Sequence, residues 1–387
     1  MLETQEKFSW EYSAQSPVFG LLPSTIMLDM LQGRRRVLRF LAAGSFCAAW
    51  PRATAATAPS FPKGAIIRTI LKDLPPESLA RGATLFHEHM SLAPDFLPRW
   101  IAYSRPGSPV APVQPVPAGQ KYFLEDLDLM TTEMKAAKAS GVACLVDGGH
   151  EDMGRNLDFL RRLSEQSGMP IVAGTGFYAQ PFYQPKISTW SEEQMTRELV
   201  RMVSTQPVGA FGEIGSWDEI TDTERRVFRA IGKAHMETNL PIFTHTGIPG
   251  KSALEQLDIL TEAGVRPEHI VIGHLGNLVD REAAVQKEIC KRGAYVGFDR
   301  QGGQGDAQQV PMVLKLIEGG YADRLLLSSD FSRAEQLTRS GGAGYAKTVT
   351  VFGPKLREAG VSQDELHEIL VDNPRRFLAF VPKRKRK

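Results

Sequence analysis

Thr84-Leu-Phe-His-Glu-His-Met90 closes an apolar run with two histidines, and four later runs close on a metal-ligand residue type in the same way. Glu213 ends Ala210-Phe-Gly-Glu213, His245 ends Pro241-Ile-Phe-Thr-His245, His274 ends Ile270-Val-Ile-Gly-His274, and Asp330 ends Leu325-Leu-Leu-Ser-Ser-Asp330. If the five runs are parallel strands of one closed sheet, all six side chains meet at its carboxyl end, where barrels of this kind carry their functional groups. Residues 87 and 89 lie two apart on one strand and point to one side, while Glu88 points the other way.

From about residue 82 onward, short apolar runs alternate with amphipathic segments, the mark of repeated βα units and a parallel sheet. Eight strands are expected, over 82–89, 141–147, 170–176, 209–214, 241–245, 269–274, 294–299 and 324–330. Most are rich in Val, Ile and Leu without strict alternation, as strands covered on both faces should be. Ser191, Thr221, Ser252 and Ser362 each precede a Gln or Glu by three residues, the capping-box pattern of a helix start. Val227, Ile231 and Ala234 then form one apolar stripe, and Leu254, Leu257 and Leu260 another. Gly264 and Gly293 stand where helix C-caps are wanted. Eight such strands with helices between them over about 250 residues match an α/β fold, a single-domain TIM (β/α)8 barrel. An open doubly wound sheet is disfavoured, because no glycine-rich phosphate turn follows the first strand. The barrel domain is assigned to residues 59–380, with 59–81 as a lead-in, and the proline-rich stretch 91–130 receives no assignment.

The 387 residues are 42% hydrophobic and 23% charged, with a formal net charge of +2, which gives no reason to expect a nucleic-acid partner. The basic run Lys383-Arg-Lys-Arg-Lys387 belongs to a tail, residues 381–387, that reads as solvated. Residues 1–58 read as a cleavable signal segment. Arg34-Arg-Arg-Val-Leu-Arg39 is followed by an apolar stretch to Trp50 and then by Ala53-Thr-Ala55 and Ala56-Thr-Ala58. The arginine pair is of the twin-arginine type and implies export to the periplasm; a cytoplasmic location follows only if the segment is not functional. The length before Met30 allows a true start at Met27 or Met30. The stretch from Phe40 to Trp50 is too short to span a bilayer, so no stable membrane insertion is expected. Cys47 leaves with the signal, and Cys144 and Cys290 sit in apolar settings that suit core packing.

Two imidazoles and a carboxylate from a facing strand hold one divalent ion, which leaves His245 and His274 unused. A second ion that shares Glu213 as a bridge engages every ligand. Imidazole suits zinc, copper, iron or nickel, and carboxylate widens the choice towards manganese. A lone histidine at a strand end is more often a hydrogen-bonded structural residue. The weight lies in five strand ends carrying a ligand type in this order.

On these motifs the chain resembles the phosphotriesterase family of the amidohydrolase superfamily, which includes phosphotriesterase-like lactonases. Further matching stretches are Gly154-Arg-Asn156, Ala173-Gly-Thr-Gly-Phe-Tyr178, Gly297-Phe-Asp-Arg300 and Asp372-Asn-Pro-Arg-Arg-Phe377, and the likeness runs from about Gly82 to Phe380. The resemblance implies two divalent cations, with zinc first and manganese, iron or cobalt as alternatives. His87, His89 and Asp330 would hold the more buried ion, and His245 and His274 the more exposed one. Glu213 stands where the family often has a carboxylated lysine, so the site should not depend on bicarbonate. The implied reaction is hydrolysis by a hydroxide shared between the cations, with Asp330 taking its proton. Arg300 and Tyr178 match lactonase positions and suit orienting a carbonyl. Each also has a structural alternative, a salt bridge to a loop carboxylate for Arg300 and the lining of the barrel mouth for Tyr178.

Asn277 replaces the aspartate usual three residues beyond the sixth-strand histidine, which puts a proton relay there in doubt. Asp147 and Arg155 are expected to brace the loop at 148–156, Arg155 through a carboxylate. The expected substrate is a small-molecule lactone or carboxylic ester, with a phosphotriester as runner-up. A metal-containing binding protein without catalysis is the rival of another class. The resemblance also points to a homodimer.

Overall fold

The computed structural model describes residues 59–104, 121–247, 250–278, 280, 282–302 and 305–383. The expected signal at 1–58 and the end of the basic tail, 384–387, lie outside them. Eight parallel strands form one sheet: β1 Ala83–Glu88, β2 Val142–Asp147, β3 Ile171–Thr175, β4 Val208–Ser216, β5 Ile242–Thr246, β6 Ile270–Ile272, β7 Tyr295–Phe298 and β8 Leu325–Leu327. Each pairs in parallel with the next, so sequence order is spatial order, the arrangement right-handed βα connections produce. No ladder joins β8 to β1. The ring is instead drawn together just beyond the strand ends: Asp330 N–H donates to the His87 carbonyl (3.2 Å) and His89 N–H to the Phe331 carbonyl (3.0 Å).

The expected strands recur within a few residues. The sixth and eighth end earlier than expected, at Ile272 and Leu327, and the last residue of each expected run, His274 or Asp330, has a positive φ (60° and 49°) and is not extended. Ser191, Thr221 and Ser362 make the reciprocal capping bonds to Gln194, Glu224 and Glu365. Ser252 does not. Its own backbone is already helical, and its hydroxyl lies 3.2 Å from the Ser216 hydroxyl instead.

Apolar packing divides into two cores. Inside the barrel, Phe86, Val146, Val172, Phe243, Val271, Tyr295 and Leu326 fill the axis. A Cβ on Gly297 would sit 2.6 Å from the Phe86 ring, so the glycine makes room for that aromatic. Ile67, Leu79 and Phe377 join this core from below, where Ile67–Arg68 pairs with Asp73–Leu74 and Ile66 bridges to Phe380. The larger core lies between the outer face of the sheet and the helices and includes Val227, Ile231, Ala234, Leu257, Leu260 and Cys290, while Cys144 packs inside the barrel. Both cysteines are buried and free. Among the described residues, no helix is long and apolar enough to cross a membrane.

Candidate metal centre

The six side chains meet above Phe243, at the carboxyl ends of β1, β4, β5, β6 and β8, all with at most a small solvent exposure. His87 and His89 share a face of β1, as their spacing requires. Phe86 also faces the axis, because the β1–β2 register shifts between Leu85 and Glu88 and the local bulge turns consecutive residues inward. Gly148, after β2, lies against both rings: a Cβ there would stand 3.1 Å from each.

His87, His89 and Asp330 offer three ligand atoms within 4.8 Å of one another, and His87, Glu213 and His274 offer a second such group. Glu213 joins the two. Its Oε1 lies 3.3 Å from His89 Nε2, and its Oε2 lies 2.9, 3.4 and 3.5 Å from His245 Nδ1, His274 Nε2 and His87 Nε2. Asp330 Oδ1 lies 3.2 Å from His89 Nε2. His245 reaches the second group through Glu213 and through His274 Nε2, 2.9 Å away.

Asp299, unassigned in the sequence beyond its place before Arg300, orients two of these ligands. Its Oδ2 lies 3.0 Å from His87 Nδ1 and its Oδ1 2.8 Å from His274 Nδ1. A carboxylate only accepts, so both imidazoles carry a proton on Nδ1 and can turn an Nε2 lone pair to the centre. His87 Nε2 is buried and has no hydrogen-bond partner. An orphaned buried nitrogen among converging carboxylates fits a metal ion. The signal for Asp299 was in the sequence, since it too ends an apolar strand.

Charge in the centre is strongly coupled. Burial pulls the His87 and His89 imidazoles down, but Glu213, Asp299 and Asp330 outweigh it, holding His87 well above its ordinary value and His89 at about 9. Burial leaves His245 at about 4 despite Glu213. Burial opposes ionisation of Glu213 and Asp330 as well, yet the histidines, joined by Arg300 at Asp330, keep both carboxylates well below their usual range. Both are anionic candidate ligands, and the protons held by His87 and His89 are ones a cation would displace.

Arg300 does pair with a carboxylate, and that carboxylate is Asp330: its Nε lies 3.0 Å from Oδ2, with the guanidinium 5.2 Å from the Trp100 ring centroid. The Tyr178 hydroxyl accepts from the Trp100 indole N–H (3.0 Å) and lies 3.0 Å from His245 Nδ1. Burial raises the Tyr178 pKa well above its usual value, so it remains a donor. Trp100 and Phe96 come from helix Phe96–Ser104, inside the proline-rich stretch 91–130, whose sequence carries no periodic signal. With Leu97, Asn277, Gln301 and Arg333 they line a cleft of about 510 Å³ over the centre. Asn277 Nδ2 has no partner there. A larger groove of about 1080 Å³ holds none of the six and lies at the opposite end, by Arg68, Thr69 and Phe380.

Asp147 accepts from Gly149 N–H (3.2 Å), in the loop it is expected to brace, and also from Met90 N–H (2.7 Å) beyond β1. Arg155 differs from expectation. It donates to the Gly174 carbonyl and to Gln206 Oε1 (3.0 Å) rather than to a carboxylate, because the loop turns it towards β3. In the loop 301–305, Gly302 N–H donates to Asp306 (2.6 Å) and Lys347 holds the Gln301 carbonyl; residues 303–304 lie outside the described ones.

A βα barrel with a histidine and carboxylate cluster at its carboxyl end defines a class, the barrel proteins that carry their functional groups at that end. The chain belongs to the phosphotriesterase family, whose model matches residues 69–378. It is 32% identical over 264 residues to the phosphotriesterase homology protein of Escherichia coli, covering 66% of this chain and 89% of that one. The solved structure of that protein, complexed with phosphate in its active site, superposes with a TM-score of 0.68 at 29% identity, over 77% of this chain and 99% of that one. N-acetyltaurine hydrolase from Xenopus tropicalis is 26% identical over 349 residues, covering 81% of this chain and 98% of its own. A lactonase from Listeria monocytogenes shares the fold, with a TM-score of 0.69 at 24% identity over 81% of this chain and 98% of that one.

Proposed function

We propose that this chain is a binuclear metal-dependent hydrolase acting on a lactone or carboxylic ester, exported by way of residues 1–58. The observation that carries the reading is Glu213, one carboxylate whose two oxygens face different members of the histidine cluster. His87, His89 and Asp330 would hold one divalent cation and His245 and His274 the other, with Glu213 shared. Zinc suits the imidazoles, and manganese, iron or cobalt are compatible with the carboxylates. Cations bound there polarise a substrate oxygen and lower the pKa of water towards neutrality.

The chain's own residues supply the rest. Asp330 takes the proton of the attacking water at Oδ1, while Arg300 fixes Oδ2. Tyr178 accepts from the Trp100 indole, so its hydroxyl proton is not spent there and can be donated to a substrate oxygen in place of the neighbouring His245 ring. Phe96, Leu97 and Trp100 form an apolar wall that keeps bulk water from the reacting bond.

An amide substrate is the second reading. It is favoured by the match to N-acetyltaurine hydrolases along 98% of their length, and Arg333 in the cleft suits an anionic group on such a substrate. Rates are compared for a lactone, an aryl ester, an aryl phosphotriester and an N-acyl aminosulfonate, with wild type and Asp330→Asn. Expected is turnover of the lactone or ester, lost on chelation and lowered by ~10²–10⁴-fold in Asp330→Asn, with much of the ligand affinity kept. Turnover confined to the phosphotriester or to the amide overturns the substrate class. Undiminished turnover in Asp330→Asn overturns the role of that residue, and binding of the panel without turnover supports the inactive binding protein.

A further inference from the structure

Two of the candidate ligands, His274 and Asp330, have positive φ, a conformation that side chains with a Cβ rarely adopt. Each is flanked by a buried carboxylate that accepts main-chain N–H groups. Asp299 accepts from the N–H of His274 at 3.0 Å. Glu88 grips Asp330 from both sides: Oε1 accepts from Ser329 N–H (2.9 Å) and Oε2 from Phe331 N–H (2.8 Å). The Ser329 hydroxyl lies 3.0 and 2.9 Å from the two oxygens, and the Ser328 hydroxyl 2.7 Å from Oε1. A fully buried carboxylate is costly unless donors satisfy it, and all these donors come from residues 328–331. The same four residues complete the seam between β8 and β1, where no ladder holds them.

We propose that Glu88, the residue between the two histidines, is a positioning residue for Asp330, clamping residues 328–331 so that Oδ1 stays beside His89. The inference rests on the place of Asp330 in the proposed centre. One side of β1 thus presents ligands while the other fixes the backbone of a third.

The test measures Co²⁺ affinity by chelator competition, together with kcat and KM, in the whole protein: wild type, Glu88→Gln, Asp330→Asn and the double variant. Glutamine keeps the shape but turns an NH₂ towards a backbone N–H, which opens the clamp. Glu88→Gln is expected to weaken Co²⁺ binding about 10–100-fold and to lower kcat, and to add nothing once residue 330 is Asn. Losses that multiply in the double variant overturn the proposal, because a merely structural role is independent of Asp330. Wild-type Co²⁺ affinity in Glu88→Gln also overturns it. If Asp330→Asn alone leaves turnover intact, the reaction proposed for Asp330 fails, while the clamp is still decided by whether the two Co²⁺ losses overlap or multiply. Ser329→Ala serves if Glu88→Gln does not fold: about a tenfold loss of Co²⁺ affinity supports the clamp, and unchanged affinity overturns it.

Discussion

Replacing Asp299 with Asn probes the centre without touching a ligand. Asp299 accepts from His274 Nδ1 (2.8 Å), from the His274 backbone N–H (3.0 Å) and from His87 Nδ1 (3.0 Å). Asparagine offers one acceptor oxygen and a donor NH₂. If the oxygen stays with His274, which presents two N–H groups, the NH₂ faces His87 Nδ1. His87 must then carry its proton on Nε2, the orphaned atom aimed at the cluster. A hydrogen bond to a charged group contributes ~1.5–3 kcal/mol. At ~1.4 kcal/mol per tenfold that is about 10–100-fold in metal affinity, the range expected when such an outer partner of a metal-ligating histidine is lost. Zn²⁺ affinity is read by competition with a chromophoric chelator, with circular dichroism confirming that the variant is folded. Unchanged affinity for both ions would refute the tautomer argument.

Two further outcomes concern stability. His235 is buried, donates from Nδ1 to the Leu240 carbonyl (2.7 Å), and is held at about 4, chiefly by burial. The unfolded chain therefore takes up a proton between pH 6.5 and about 4 that the folded chain does not. Stability from this group is complete above pH 6.5 and is lost as pH falls to about 4, by up to ~3 kcal/mol. His235→Gln should flatten that part of the urea-unfolding profile, and an unaltered slope would contradict the assignment. Gly297→Ala places a Cβ 2.6 Å from the Phe86 ring under the centre and should cost ~1–3 kcal/mol by overpacking. An unchanged urea midpoint would contradict the tight barrel interior.

The strands were legible because buried parallel strands are short Val, Ile and Leu runs, and the ligands because each ends such a run. Alternation also told that Glu88 faces away from His87 and His89, but not what it meets. Its partners, residues 328–331, are some 240 positions distant, and only ring closure brings them near. The place of Asp299 at a strand end was legible but its role was not, for a related reason: a carboxylate there reads as a ligand or as a brace according to which imidazoles stand on the neighbouring strands. Trp100 and Phe96 had no signal, since a proline-rich excursion has no period to read. Ser252 misled because a capping box in sequence specifies which groups are available and not the backbone angles that let them meet.

The proposed centre holds two cations joined through Glu213. Elemental analysis of the purified protein should find two divalent transition ions per chain, falling to one or none in Glu213→Ala. A chain that holds a single ion, or none after exposure to excess zinc, would contradict it.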